Sequence, residues 1–240
     1  TNIIRDKVIA GLLLGKLSKG REMGIEIFIR PESYLPEVEN VNLISVLIDI
    51  SGSMDKYASD MQQAISEFKK ALEQSKEVDE ILLSRIDFDS SFNKDGYKPV
   101  AAFNTGYSTG GTTNLYAPLD WAITNQLQYE KTLKASGTRV KSVIAVFTDG
   151  DDIDSTQSEK DRVRDIVKNY IGSEKMIVWI AFGSSGITEA KTMNIPDNRI
   201  YQSSASASEL RKAFQCLSKS VKAFSQSATA PSAQADFFTL

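Results

Sequence analysis

The sequence predicts an α/β fold in which a doubly wound, mainly parallel central sheet carries helices on both faces and one antiparallel edge strand. Short apolar runs rich in β-branched residues recur along the chain, as is typical of strands buried on both faces. Segments with apolar residues at helical spacing separate these runs. Two of the runs end in an acidic residue and a polar loop, and open α/β sheets bind ligands at the carboxyl ends of their strands.

Composition narrows the classes of function. The 240 residues are 41% hydrophobic, which is enough for one large domain with a sizeable core. A net charge of -3 provides no positive field for nucleic acid. The absence of histidine excludes a Ser-His-Asp triad and His-containing zinc sites. The single cysteine, Cys216, excludes an internal disulfide and favours a reducing compartment, so we expect a cytoplasmic protein. No apolar run approaches the ~20 residues of a membrane-spanning helix.

The chain is predicted to consist of a main domain at residues 41–224 with a shorter segment on either side. Residues 1–40 are interpreted as an N-terminal extension packed on the main fold. Within it, residues 3–18 have the spacing of a helix, and residues 25–29 alternate like a half-buried strand. Residues 225–240 begin with a Ser-, Ala- and Gln-rich stretch and are interpreted as a C-terminal tail.

The first half of the main domain opens on its central strand, the unbroken apolar run at residues 43–48. The helix that follows has its apolar stripe at Tyr57, Met61, Ala64, Ile65, Phe68 and Leu72. Residues 81–88 predict the next strand. Gly96 and the short apolar run at residues 100–103 then predict a hairpin-linked edge strand.

The second half alternates helices and strands. A helix with an apolar stripe over residues 115–127 follows a glycine-rich loop, and residues 143–147 and 176–182 predict two further buried strands. Between these strands, Thr156 and Glu159 have the spacing of a capping box at a helix start. The remaining predicted elements are a helical turn around Ala190, a short strand at residues 200–201, and a helix with a capping box at Ser206 and Glu209.

The central strand runs directly into a polar loop that carries oxygen-bearing side chains at alternate positions. Asp49, Ser51 and Ser53 point the same way in an extended segment, and they converge if the loop curls. Carboxylate and hydroxyl oxygens are hard ligands that suit Mg²⁺ or Mn²⁺. A second strand also ends in an acid, Asp149, and a loop with two adjacent threonines lies between the two in sequence.

This set resembles the metal-ion-dependent adhesion site of von Willebrand factor type A (vWA) domains, which combines a DxSxS motif with a distant threonine and a distant aspartate. The matching residues are Asp49, Ser51, Ser53, Thr113 and Asp149. The resemblance implies a Rossmann-like sheet with Mg²⁺ at its top, or Mn²⁺ or Ca²⁺ in its place. The three hydroxyls would bind the ion, and the two carboxylates would act directly or through water. An open position would accept a carboxylate from a partner protein.

The residues around this motif leave open which of two threonines binds the metal, and they include several further acids. Counting from the glycine pair favours Thr112 as the metal-binding threonine, whereas counting back from the helix favours Thr113. The acids near these loops are interpreted as a solvated rim: Asp87, Asp89, Asp151, Asp152 and Asp154.

Residues 47–54 and 147–150 are most similar to the intracellular bacterial branch linked to tellurium resistance (TerY-like), whose members are thought to be scaffolds in stress response or phosphosignalling.

Two functions of different classes fit this set of residues. The first is a binding module without enzymatic activity, and the second is a Mg²⁺-dependent phosphotransferase or hydrolase that uses Asp49 or Ser51. An aspartyl-phosphate enzyme would want an acid two residues after its nucleophile, where this chain has Ser51, and no lysine is evidently placed to neutralise phosphate. Without histidine, activation of Ser51 is also difficult. We therefore favour the binding module.

Overall fold

The computed structural model of the chain describes residues 40–74, 80–150, 152–172, 175–203 and 212–213, all within the second of two units, residues 36–240. The strands are β1 (Asn40–Asp49), β2 (Glu80–Phe88), β3 (Phe92–Lys94), β4 (Lys98–Pro99), β5 (Arg139–Thr148), β6 (Lys175–Phe182) and β7 (Ile200–Ser203). The α-helices are α1 (Ala58–Glu73), α2 (Tyr116–Ala135), α3 (Gln157–Tyr170) and α4 (Ser184–Thr192). Short 3₁₀ turns occupy Gly52–Tyr57, Val100–Ala102 and Asp197–Arg199.

The sheet has the strand order β3-β2-β1-β5-β6-β7, with β4 also paired to β2. The five strands β2, β1, β5, β6 and β7 are parallel, and only β3 and β4 run antiparallel, both against β2. Strand β1 therefore lies between β2 and β5, and the carboxyl ends of these three strands meet at one edge of the sheet. The predicted fold class, a mainly parallel α/β sheet with an antiparallel edge, is confirmed.

The edge strand does not lie where the sequence suggested. The run at residues 100–103 forms a 3₁₀ turn, and the antiparallel pairing is made by β3 and β4 instead. The backbone carbonyls of Ala101 and Phe103 accept hydrogen bonds from the Lys69 ammonium at 2.7 and 3.1 Å. The Phe103 ring packs edge-on against Phe68. The apolar character of this run therefore reflects a loop anchored on α1, and not a strand.

Helices cover both faces of the sheet. Ile44, Val46 and Ile48 of β1 point to the face covered by α1, whereas Leu47 points to the face covered by α2 and α3. The predicted stripe on α1 is confirmed because five of its members are at most 2% exposed: Met61, Ala64, Ile65, Phe68 and Leu72. Strand β1 is buried along nine consecutive residues, as a central strand covered on both faces should be.

Helix α2 departs from its predicted stripe at one position. Leu127 is 39% exposed, and the neighbouring Gln126 is fully buried. The Gln126 amide donates to the main-chain carbonyls of Leu43 and Val143 at 3.1 and 3.3 Å, and it accepts from the Tyr170 hydroxyl at 2.5 Å. Burying a polar side chain costs little when its polar atoms have such partners. Helical spacing alone therefore predicted the burial of Leu127, whereas Gln126 is the residue that is buried.

Several predictions fall partly or wholly outside the described residues. These are the N-terminal extension, the C-terminal tail, and most of the helix after Ser206, so the proposed domain limits stay predictions. The capping box at Thr156 and Glu159 is present as expected, with both reciprocal hydrogen bonds formed at the start of α3. Within the described part of the chain, no helix is long and apolar enough to cross a membrane.

Candidate functional site

Three loops meet beyond the carboxyl ends of β1, β2 and β5. The loop after β1 is bound to the end of β2 by a hydrogen bond from Ile50 N to Phe88 O of 2.8 Å. It is bound to the glycine-rich loop, residues 106–111, by Gly110 N to Ile50 O at 2.7 Å and by Gly52 N to Gly111 O at 3.1 Å. These main-chain bonds fix the direction in which the polar side chains of the first loop project.

Asp49 is the buried centre of the site. Its Oδ1 accepts from Ser51 N at 2.8 Å, its Oδ2 accepts from Thr148 Oγ1 at 2.6 Å, and its main-chain carbonyl accepts from the Tyr107 hydroxyl at 2.7 Å. Burial raises the pKa of this carboxyl, the hydrogen bonds from Ser51 and Thr148 oppose that rise, and the charge of Asp149 adds to it. A cation beside Asp49 would offset the cost of keeping it ionised.

A chain of hydroxyls joins the two predicted carboxylates. Ser51 Oγ lies 3.1 Å from Ser53 Oγ, and Ser53 Oγ donates to Asp149 Oδ1 at 2.6 Å. The second oxygen of Asp149 lies 3.6 Å from Lys56 Nζ. The structure therefore brings Asp49, Ser51 and Ser53 together with Asp149, which is 100 residues away from Asp49 in the sequence. They meet because β1 and β5, at whose ends they lie, are hydrogen-bonded neighbours in the sheet.

The two candidate threonines differ in their surroundings. Thr113 is 7% exposed, and its hydroxyl lies beside Gly150, since a Cβ placed on that glycine would be 3.8 Å from Thr113 Oγ1. Thr112 is exposed and donates instead to the carboxylate of Asp154. Both threonines therefore contact the loop after β5, but only Thr113 has its hydroxyl beside Gly150, the residue next to Asp149. Its coordination of a metal stays a prediction.

The donor set suits a hard divalent cation. Two carboxylates and three hydroxyls supply only oxygen ligands, which Mg²⁺ prefers together with retained water. Within the described residues, no three His, Cys, Asp or Glu side chains are grouped to hold a metal ion, so any ion here would depend on the hydroxyls. The raised pKa of Asp49, together with a lysine ammonium beside Asp149, marks this pair of acids as a place that favours positive charge.

The interpretation of the neighbouring acids as a solvated rim is wrong for Asp152. Its side chain is fully buried, and it accepts hydrogen bonds from Leu115 N at 2.6 Å and from Ser155 N at 2.8 Å. It thus caps the start of α2 and shapes the loop after β5. Asp154 is exposed as predicted, and Asp151 lies outside the described residues.

The acids at the end of β2, Asp87 within the strand and Asp89 just after it, are also more than a solvated rim. Asp87 is half-buried and forms an ion pair with Arg85 at 2.7 Å, and its pKa is raised by burial against the opposing effect of that arginine. Asp89 is half-buried and accepts from Ser91 N at 2.8 Å. Both carboxylates are therefore held by their own strand end.

The backbone conformation and close packing at Gly111 favour glycine at this position of the loop. It adopts a φ of 72°, and a Cβ at this position would lie 3.0 Å from Asp89 Oδ2. We expect Gly111→Ala to lower the free energy of unfolding of the metal-free protein by about 1–3 kcal/mol, because both the backbone and the contact are strained. Gly110→Ala is the matched control, since a Cβ there meets nothing within 4 Å. Equal urea-unfolding curves for the two variants would contradict the expectation.

Comparisons with known proteins agree with this architecture. A family model described as von Willebrand factor type A domain matches residues 44–215. Similar solved structures include the pilus adhesin SpaC from Lactobacillus rhamnosus GG, with a TM-score of 0.57 and 12% identity over 78% of this chain and 30% of that chain. The vWF domain of the type V pili tip protein Mfa5 from Porphyromonas gingivalis has a TM-score of 0.57 and 11% identity over 80% of this chain and 98% of that one.

A third similar structure is the von Willebrand factor type A protein from Catenulispora acidiphila, with a TM-score of 0.51 and 15% identity over 77% of this chain and 43% of that chain. At these identities the likeness shows the fold alone. The chain spans less than half the length of the SpaC and Catenulispora chains. No curated protein matches the sequence.

Proposed function

This chain belongs to the von Willebrand factor type A domain family, and we propose that it binds Mg²⁺ beyond β1 and β5 to recruit a carboxylate from a partner protein. The family often serves in protein–protein interaction and metal-dependent adhesion. The observation that carries the proposal is the joining of Asp49, Ser51, Ser53 and Asp149 through short hydrogen bonds, with the Thr113 hydroxyl beside the same loop.

Each of these residues has a role in the proposed site. Ser51, Ser53 and Thr113 would hold the ion by their hydroxyls, and Asp49 and Asp149 would hold it directly or through water. The bound ion would supply an electrophilic position for an anionic oxygen. Mg²⁺ is favoured over Ca²⁺ because it tolerates few charged protein ligands and keeps part of its water shell, and Mn²⁺ is expected to substitute for it.

The rim of the site supports a protein partner. Ile153 is 69% exposed, and its main-chain N donates to Thr113 O at 3.2 Å, so a large apolar side chain is presented next to the proposed metal position. The exposed Asp55 and Asp154 lie on the surrounding loops. A partner that offers one acid flanked by basic residues would complement this acidic rim, while Ile153 supplies apolar contact.

A specific observation keeps a second function in view. The expectation that no lysine is placed to neutralise phosphate is wrong, because Lys56 Nζ lies 3.6 Å from Asp149. A Mg²⁺-dependent phosphotransferase or hydrolase using Asp49 or Ser51 would use such a cation. The hydroxyl of Ser51 nevertheless contacts only Ser53 and the weakly basic Asp49 carboxylate among the described residues, and the chain has no histidine to activate it. Turnover of phosphate esters that disappears in Asp49→Ala would favour this function over the binding module.

We also propose a cellular setting. The segments at 47–54 and 147–150 support the bacterial tellurium-resistance (TerY-like) branch, a cytoplasmic location, and a role as a scaffold in stress response or phosphosignalling. The partner would then be a protein of the same compartment. Capture of partners in Mg²⁺ and in EDTA, followed by mutation of each exposed acid on the captured protein, tests the carboxylate directly.

Thr113 separates partner binding from metal binding. We expect Thr113→Ala to lower the affinity for the captured partner at least about tenfold and to lower the affinity for Mg²⁺ by less. The reason is that vWA precedent has this threonine engage the ion when a ligand is bound. Thr112→Ala is the control, since that hydroxyl is bound to Asp154. Affinities would be measured by calorimetry. Undiminished partner binding in EDTA would show that the interface lies elsewhere.

A further inference from the structure

Lys56 occupies an unusual position for a surface lysine. It lies on the 3₁₀ turn that directly follows the polar loop, and its Nζ is 3.6 Å from Asp149 Oδ2 and 4.7 Å from the centroid of the Tyr57 ring. The side chain of Lys56 is 60% exposed, whereas that of Asp149 is only 6% exposed. The lysine therefore reaches from solvent onto a nearly buried carboxylate.

The turn that carries Lys56 is fixed at its base. Met54 is fully buried in the core under α1, and its N donates to Ser51 O at 3.0 Å. The adjacent acid, Asp55, is engaged elsewhere, because its Oδ1 accepts from Thr109 Oγ1 at 2.9 Å. Lys56 is thus held within reach of Asp149 while its own neighbouring carboxylate is occupied.

The proposed metal-binding carboxylates are already satisfied by groups of the chain itself. Asp149 Oδ1 accepts from Ser53 and Asp149 Oδ2 faces Lys56, so each oxygen has a partner. Both oxygens of Asp49 are likewise bound, by Ser51 N and Thr148 Oγ1. A divalent cation that uses Asp149 must therefore compete with the Lys56 charge for the same carboxylate.

We propose that Lys56 is a tethered counter-ion of the metal site, which neutralises Asp149 in the metal-free protein and weakens the binding of a divalent cation. This inference rests on the proposed metal site. The lysine opposes a divalent cation at Asp149 in either case: if it stays in place it repels the cation, and if it moves away its own attraction to Asp149 is lost. Because the lysine is mostly exposed, its pairing is screened by solvent and salt, so a divalent ion can displace it.

The inference predicts that removing the lysine charge tightens metal binding. Calorimetric titration of the full chain with Mg²⁺, and separately with Mn²⁺, should give Lys56→Met an affinity about three- to tenfold higher than wild type, the size expected for one partly screened charge. Lys56→Arg should remain close to wild type because it keeps the charge. Lys70→Met is the matched control, since it removes the same charge from the exposed, opposite end of α1.

Ionic strength gives a second readout that a purely structural role would not move. The gap between wild type and Lys56→Met should narrow as salt is raised from about 0.02 to 0.5 M, because the lysine charge is screened. Equal affinity of the two proteins at low salt, or equal tightening in Lys70→Met, would overturn the counter-ion role and leave the metal site intact. Weaker binding by Lys56→Met would overturn it as well. Absence of metal binding by the wild type would overturn both this inference and the proposed function.

Discussion

Asp149→Ala is expected to lower the affinity for Mg²⁺ by at least about a hundredfold, because it removes one of the two carboxylates of the site and frees the hydroxyl that it holds. Ser53 Oγ donates to Asp149 at 2.6 Å, so the substitution also releases a second proposed ligand from its orientation. Titration calorimetry with Mg²⁺ and with Mn²⁺ on both proteins measures this loss. Equal binding by wild type and variant would contradict the assignment of Asp149 to the metal.

The free energy of unfolding of the metal-free protein should depend much less on Asp149 than the affinity for Mg²⁺ does. The charge of Asp149 contributes to the raised pKa of Asp49, which means that the two carboxylates repel each other without a metal. We expect Asp149→Asn to leave the free energy of unfolding in the absence of metal within about 0.5 kcal/mol of wild type, or to raise it slightly. The same variant should lose the stabilisation that we expect Mg²⁺ to give the wild type. A loss of several kcal/mol without metal would instead identify Asp149 as a structural residue.

The sheet could be predicted from sequence because its central strands carry a strong local signal. Strands β1, β5 and β6 are covered on both faces, so their central stretches are mostly apolar, and the resulting runs are visible in isolation. The edge was harder to predict. Strands β3 and β4 are three and two residues long and mostly half-buried or exposed, so their residues are under little hydrophobic constraint.

The two acids of the candidate metal site could be placed at strand ends from sequence, whereas the full set with Thr113 was implied by the resemblance to vWA domains. Asp49 is the last residue of β1, Asp149 directly follows β5, and these two strands are neighbours in the sheet. The contacts made by residues around these acids could not be predicted from any sequence pattern. Tyr107 donates to the Asp49 carbonyl across 58 residues, and Asp152 binds Leu115 N across 37. Lys56 reaches Asp149 through a long side chain whose direction the sequence does not give. Such contacts depend on how loops fold over the sheet.

Asp152→Ala should cause the largest loss of stability among substitutions near the site. Asp152 has no exposed side-chain surface, and it accepts from Leu115 N, Ser155 N and Ser155 Oγ. Lys160 Nζ lies 3.5 Å from its Oδ1 and donates to its main-chain carbonyl at 2.9 Å. The substitution removes a helix cap and leaves a part-buried lysine without its carboxylate, which together should cost about 3 kcal/mol of unfolding free energy.

Two variants separate the causes of that loss. Asp152→Asn keeps an acceptor oxygen for the start of α2 and removes the charge that faces Lys160. Its free energy of unfolding should therefore lie between those of the wild type and Asp152→Ala. Asp154→Ala, at an exposed acid in the same loop, should change stability by less than about 0.5 kcal/mol. Urea unfolding of the metal-free proteins measures all three. If Asp152→Ala proved as stable as Asp154→Ala, the start of α2 and the loop after β5 would not depend on this carboxylate, and its burial would need another explanation.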